Sequence, residues 1–263
     1  MTILALEFPS IGHLVEWEGL FLKGTAFEVN KVVLLMWAGV IIVMAVFLLA
    51  GRKAKAGAAS GNLVPSGIQH VAESGIEFVR KDIILQTMGK EGMGWAPFLT
   101  TMFFFIFVTN LFEVVPGIQF PVSARMALPI FLAVVVWFIY NIVGIKHQGL
   151  GGYIKSVVMP PGVPKAILPL VALIETISTF VVRPFSLAVR LFANMLAGHL
   201  LLVTFAVPSA ALFSKTLLVI ILPLPFIMLI LLTGFEILVA GLQAFIFTIL
   251  TAVYIGGAMH PEH

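Results

Sequence analysis

Long apolar runs alternate with short polar interruptions along this chain, and their lengths assign most of its elements. Residues 32–50 are uninterrupted apolar sequence, and 97–115 and 126–145 are two further apolar runs of similar length. Each suits a helix of ~20 residues crossing a hydrocarbon core. The last hundred residues differ. Residues 166–206 and 216–258 are two runs of about forty residues separated by a break at Pro208-Ser209. As single helices each is roughly 60 Å long, about twice the hydrocarbon thickness. Each run is therefore two spans or one strongly tilted or bent helix. Pro169, Pro184, Pro223 and Pro225 permit bends, because neighbouring groups can satisfy the freed carbonyls. Thr233-Gly234-Phe235-Glu236 is a possible tight turn.

Between the first and second runs the period changes. A Gly/Ala/Ser-rich linker over 56–65 ends at Pro65, and from Ser66 the pattern becomes amphipathic. Ile68, Val71, Ala72, Gly75, Ile76, Val79, Ile83 and Ile84 fall near one face at helical spacing, with Gln69, Glu73, Glu77, Arg80 and Lys81 opposite. This predicts a helix on the cytoplasmic membrane surface; a soluble partner-binding helix is the alternative. Residues 1–30 are mixed, with Glu7, Glu16, Glu18, Pro9 and Trp17, and read as an extramembrane or interfacial segment. They lack the compact apolar core ahead of a cleavage site that a signal peptide requires.

Composition fixes the class. Sixty per cent of the residues are hydrophobic and 10% are charged, against roughly 25% charged in soluble domains. There is no cysteine, so disulfides and thiolate metal sites are excluded. The net charge of +3 comes mostly from loop Lys and Arg and does not point to a nucleic-acid surface. With alternating sides, the inner segments 51–90 and 146–165 hold nine Lys and Arg, while Lys23, Lys31, Arg125 and Lys215 lie outside. That bias places the N-terminus outside and the C-terminus in the cytoplasm.

Two positive charges remain inside apolar sequence, Arg183 and Arg190. A charge at membrane depth costs from about 3 to 10 kcal/mol or more and usually serves function. Arg190 and Asn194 share a helix face, with Ala197 and Gly198 near it. Small residues there let another helix approach closely. His199 is nine residues beyond Arg190 and points the other way, roughly 13 Å further along. In the second run, Glu236, Gln243 and Tyr254 return to one face. A single antiparallel register puts His199 beside Glu236 and Arg190 beside Gln243. A His–Glu pair at that depth suits a proton relay, since either partner can hold the proton.

Asn110 and Glu113 extend the polar path outward; Glu175 and Ser178, roughly 22 Å before Arg190, suit an inner path. Each has a plainer reading: an ion pair for Arg190 or for His199 with Glu236, interhelical hydrogen bonding for Asn194, a satisfied core histidine for His199. Glu113 can equally cap its helix, and Glu175 and Ser178 can sit at the interface. Arg183, beside Pro184, reads as an interfacial anchor, and His13, His260 and His263 as solvated. No phosphate loop, hydrolytic triad or histidine pair at metal-ligand spacing is present. Nucleotide chemistry, if any, belongs to another subunit.

Ser186-Leu187-Ala188-Val189-Arg190-Leu191-Phe192-Ala193-Asn194-Met195-Leu196-Ala197-Gly198-His199 resembles the a subunits of rotary F-type ATP synthases. Leu242-Gln243-Ala244-Phe245-Ile246-Phe247, with Leu250-Thr251 and Tyr254, is similar to that family's final helix. Asn110-Leu111-Phe112-Glu113 and Gly149-Leu150-Gly151-Gly152-Tyr153 match weaker signatures. The resemblance runs from about residue 30 to the C-terminus. It implies two steeply tilted helices packed on a ring of small hairpin c subunits, with Arg190 facing the ring's buried carboxylate. It further implies that Asn194, His199, Glu236, Gln243 and Glu113 belong to the outer half-channel and its neighbourhood, and Glu175 to the inner one. Asn110, Ser178 and Tyr254 are auxiliary candidates. Some members exchange the acid and the histidine; here they stand as His199 and Glu236. Glu175 lies one residue further from Pro184 than the family pattern places it, which a local helix bulge would absorb.

The expected molecule is an all-α polytopic membrane protein, one embedded domain over 1–263 with about five membrane helices. Its parts are an extramembrane segment 1–30, a first span 31–50, an amphipathic surface helix 66–91, a hairpin 97–145 and a long tilted hairpin 166–258. The expected function is that of a non-catalytic, proton-translocating stator subunit with two offset half-channels. Its partners would be the c ring, peripheral-stalk b subunits, the rest of the synthase and membrane lipid; no cofactor, metal or nucleic acid is expected. The competing reading is a self-contained secondary transporter with Arg190 in an anionic-substrate site, for which internal repeats are missing. A bacterial plasma membrane is the expected location, a mitochondrial inner membrane the alternative. Groups on the ring would select H⁺ or Na⁺.

Overall fold

The computed structural model describes residues 19–21, 28–60, 64–159, 164, 167–212, 220 and 222–259. Most of the segment 1–30, together with His13, His260, His263, Lys23, Lys165 and Lys215, lies outside the described residues. Apart from one bridge pair, Phe21 with Val29, the regular structure among them is helical.

Helix α1 (Lys31–Ser60) runs past the apolar stretch and carries Arg52, Lys53 and Lys55 on its last turns. The first half of the expected linker, 56–60, is thus helix, because Ala56, Ala58 and Ala59 are strong helix formers that outweigh Gly57. Asn30 starts it, its side-chain oxygen accepting the Val33 N–H at 3.1 Å. The helix presents Leu34, Trp37, Ile41, Met44 and Leu48 outward. Facing lipid, such a surface carries no penalty.

Helix α2 (Ile68–Phe78) continues through a π turn (Val79–Ile84) and a last turn (Leu85–Thr87). Its apolar face packs on α1 and on α3 (Ala96–Leu111). Ala72, Val79, Ile83 and Ile84 are buried. Val71, expected on that face, is 59% exposed, because it sits at the edge of the stripe, about 100° from Ala72. The contact is close at Gly75, where a Cβ would overlap the Phe104 ring. Glu77 and Lys81 pair on the exposed side; each keeps the other ionised, the carboxyl below and the ammonium above its ordinary range.

Helix α4 (Ala127–Val158) begins where the third span was expected and continues beyond residue 145. Gly149 breaks it with φ 73° and ψ 160°, a conformation open essentially only to glycine. The chain turns back there, since Tyr153 Oη donates to Asn141 Oδ1 at 3.0 Å, whereas a straight helix would separate those residues by roughly 18 Å.

Within the described residues each long run is a single helix. Helix α5 (Leu168–Ile177) passes through a π turn (Ser178–Val182) into α6 (Arg183–Leu212), and α7 (Pro223–Met259) returns. They extend over 45 and 37 residues, roughly 67 and 55 Å, so both must tilt or bend to fit a bilayer. Pro208 lies within α6 and the helix continues to Leu212; Thr233–Glu236 is uninterrupted helix. With α1, α4 and the helical stretch Lys90–Leu111 that ends in α3, these make five helices long and apolar enough to span. The chain is a polytopic all-α membrane protein with a long tilted C-terminal hairpin. Helix α7 packs on α3, α4 and α6, around a core of Ile106, Val136, Leu191, Met195, Ala244, Phe247 and Ile255.

Candidate functional site

On α6 the burial pattern separates two faces. Leu187, Ala188, Leu191, Met195, Gly198 and His199 are buried, while Arg190, Ala193, Asn194 and Ala197 are exposed. Arg190 has no ion-pair or hydrogen-bond partner among the described residues, so the ion-pair reading has no support within the described chain. Beside it the helix surface is low: two alanines and an asparagine.

The hairpin register is fixed by two contacts near opposite ends. A Cβ on Gly198 would overlap the Glu236 carboxylate, and the Arg183 guanidinium lies 5.6 Å from the centre of the Tyr254 ring. The same register carries Gln243 to the depth of Arg190 and Leu191, where Gln243 is buried. The spacing argument thus has the correct register but not the correct partner. His199 and Glu236 occupy the expected level, yet the ion-pair contact of His199 is with Glu113, Nδ1 to Oε1 at 3.8 Å. The reason is azimuth. Gly198, not His199, faces α7, and His199 points towards the chain beyond α3. The capping reading of Glu113 also gives way: Glu113 is 3% exposed and one of its oxygens has no hydrogen-bond partner.

Around this pair lies a cavity of about 390 Å³, lined by Lys31, Glu113, Phe120, His199, Leu229 and Thr233 among others. Phe120 holds the imidazole edge-on, centroids 5.5 Å apart. Lys31 Nζ donates to the Ile118 carbonyl at 3.2 Å and ties α1 to the cavity wall. Asn110 accepts a hydrogen bond from Ser123 Oγ at 2.7 Å, and its amide nitrogen stays unpaired. Glu236 is 3% exposed with an unpaired oxygen. Unpaired polar atoms at this depth are costly unless the site uses them. Lys31, Phe120 and Ser123 were not singled out from the sequence, because an N-terminal Lys and a loop Phe or Ser carry no pattern of their own.

At the other end of α5–α6, Glu175 and Arg183 meet at 3.8 Å, with side chains 41% and 36% exposed. Arg183 is therefore more than an anchor beside Pro184: it joins Glu175 to Tyr254. Tyr254 in turn meets Tyr140 with ring centres 5.9 Å apart. Ser178 opens the π turn, and its carbonyl accepts the Arg183 N–H. This wide turn lies between Glu175 and Pro184, where the spacing allowed for a bulge. Among the described residues, no three His, Asp or Glu side chains gather as a metal site.

Five spanning helices, a π turn ahead of a proline and an arginine on an open helix face are features an unrelated protein could share. The family comparison decides the matter. The model of the family described as "ATP synthase A chain" matches residues 33–256. The chain belongs to that family. Relatives named "ATP synthase subunit a" support it along nearly the whole length. The Frankia alni protein is 42% identical over 243 residues, 89% of this chain and 79% of its own. The Rhodococcus erythropolis protein is 40% identical over 266 residues, 99% of this chain and 94% of its own. The Rhodopseudomonas palustris protein is 41% identical over 257 residues, covering 97% and 94%. As a member of the ATP synthase A chain family, this is a bacterial multi-pass membrane protein and a subunit of the membrane sector, and other synthase subunits are its partners.

Proposed function

We propose that the chain is the non-catalytic, proton-translocating stator of its synthase, with the open face of α6 turned to a ring of c subunits. The observation that carries this is Arg190: a cation in the middle of a spanning helix, exposed and without a partner among the described residues, flanked by Ala193, Asn194 and Ala197. Such a charge calls for an acidic partner outside the chain. A carboxylate in the ring supplies one, and the alanines let the ring come close.

Protons enter from the outer side through the cavity beside Lys31, pass between Glu113 and His199, and reach Glu236 near Gly198. Asn110, Asn194 and Gln243 line the approach to the ring. A protonated ring carboxyl can enter lipid, whereas the ionised form cannot do so cheaply. After nearly a full turn the ring carboxyl releases its proton near Glu175 and Ser178, where Tyr254 flanks the inner exit. Arg190 stabilises the ionised carboxylate between the paths and blocks a direct leak. The drive is about 2.3 kcal/mol per charge per 100 mV, plus the pH term. Peripheral-stalk b subunits anchor the stator, the N-terminus lies outside and the C-terminus in the cytoplasm.

Arg190→Ala is expected to abolish ATP-driven proton pumping in membrane vesicles while the complex stays assembled. Coupled pumping at the unaltered rate in that variant refutes the assignment.

A further inference from the structure

The π turn between Glu175 and Arg190 creates a backbone problem that one buried side chain solves. The Arg183 N–H bonds the Ser178 carbonyl, five residues back, so it does not serve Thr179. The next residue is Pro184, which has no N–H to give. The Thr179 carbonyl is thereby left without a donor from its own helix, at a depth where an unpaired carbonyl is costly. Tyr140, 2% exposed on α4, donates its hydroxyl to that carbonyl at 2.5 Å.

This bond sits at the hinge of the inner cluster. A π turn inserts one residue and rotates what precedes it by about 100° around the helix axis. It therefore sets the direction of Glu175 relative to Arg190. Arg183, the residue that closes the turn, lies beside Glu175 and over Tyr254, and the Tyr254 ring meets that of Tyr140. The titratable and charged groups around the turn are Glu175 and Arg183 on its own helix, Tyr254 from α7, and Tyr140 with Tyr153 from α4.

Resting on the stator reading above, we propose that Tyr140 is a positioning residue of the inner half-channel. Its hydroxyl holds the π turn open and so aims Glu175 and Arg183. Tyr140 acts through the Thr179 carbonyl and does not carry the proton.

The test uses the complete synthase in inverted vesicles, whose medium is the cytoplasmic side. Pumping is normalised to the amount of assembled complex and followed against medium pH, then against lumen pH. Tyr140→Phe is expected to slow pumping about tenfold, the loss that leaving a buried acceptor unpaired predicts, and to move the medium-side pH profile alone. Pro184→Ala restores an N–H within reach of the freed carbonyl. Tyr140→Phe made in that background is therefore expected to cost less than about threefold. Should Tyr140→Phe fail to assemble, the double variant is expected to restore assembly. Equal losses in both backgrounds, a loss uniform across medium pH, a matching shift on the lumen side, or an unassembled double variant each overturn the proposal. Pumping by Arg190→Ala would refute the stator reading, yet leave the Tyr140–Pro184 coupling measurable as complex stability.

Discussion

At the scale of single residues, the site depends on which neighbour fills the gap left by a glycine. Gly198 has no Cβ, and the Glu236 carboxylate occupies that space. An added methyl would meet the far end of a flexible side chain, which can swing away without repacking the helices. Gly198→Ala is therefore expected to leave assembly intact and to lower pumping severalfold, because a displaced carboxylate loses its place in the proposed proton path. Measuring complex yield and pumping together checks this; lost assembly with pumping unchanged per complex contradicts it. The residue scale is also where the sequence reading and the structure part. A separation of nine residues put His199 opposite Arg190, which the burial of one and exposure of the other bear out. The hairpin register named Glu236 as the partner of the imidazole, whereas the structure brings it to Glu113.

At the scale of elements, helix breaks position the chemistry. The π turn at Ser178–Val182 sets Glu175, and the break at Gly149 folds the end of α4 back so that Tyr153 reaches Asn141. The Tyr153 ring also fills the space a Cβ on Gly144 would need. Gly149→Ala forces an alanine into a conformation that costs about 1–3 kcal/mol. It should lower the temperature at which the detergent-solubilised complex sheds this subunit, and heating followed by native electrophoresis would read the change. An unchanged temperature would mean the fold-back contributes nothing to stability. Proline behaved differently from the pattern's simplest expectation. Pro208 ends nothing, because Ser209 and the preceding turns keep α6 helical as far as Leu212.

At the scale of the whole molecule, the two long helices turn one face to the core and another outward, and the outward face of α6 is the one with Arg190. If a hairpin subunit covers it, cysteines introduced at Ala193 and Ala197 are expected to cross-link to a cysteine placed near the hairpin's buried carboxylate. A cysteine at Met195, which is 0% exposed, is not. The native chain has no cysteine to remove. Cross-linking from Met195, or none from either alanine position, contradicts the proposed rotor face.

By itself the sequence determined the class, the places of the first three spans, the two faces of α6 and the hairpin register. All of these follow from hydropathy and helical period, which are local and set by the cost of exposing polar groups to lipid. Tertiary structure alone decided which side chains meet. Glu113 comes to His199 because the turn after α3 brings it there; Tyr140 comes to Thr179 because a π turn and a proline together strand one carbonyl. Such contacts join residues 39 to 86 positions apart, and no period along the chain encodes them.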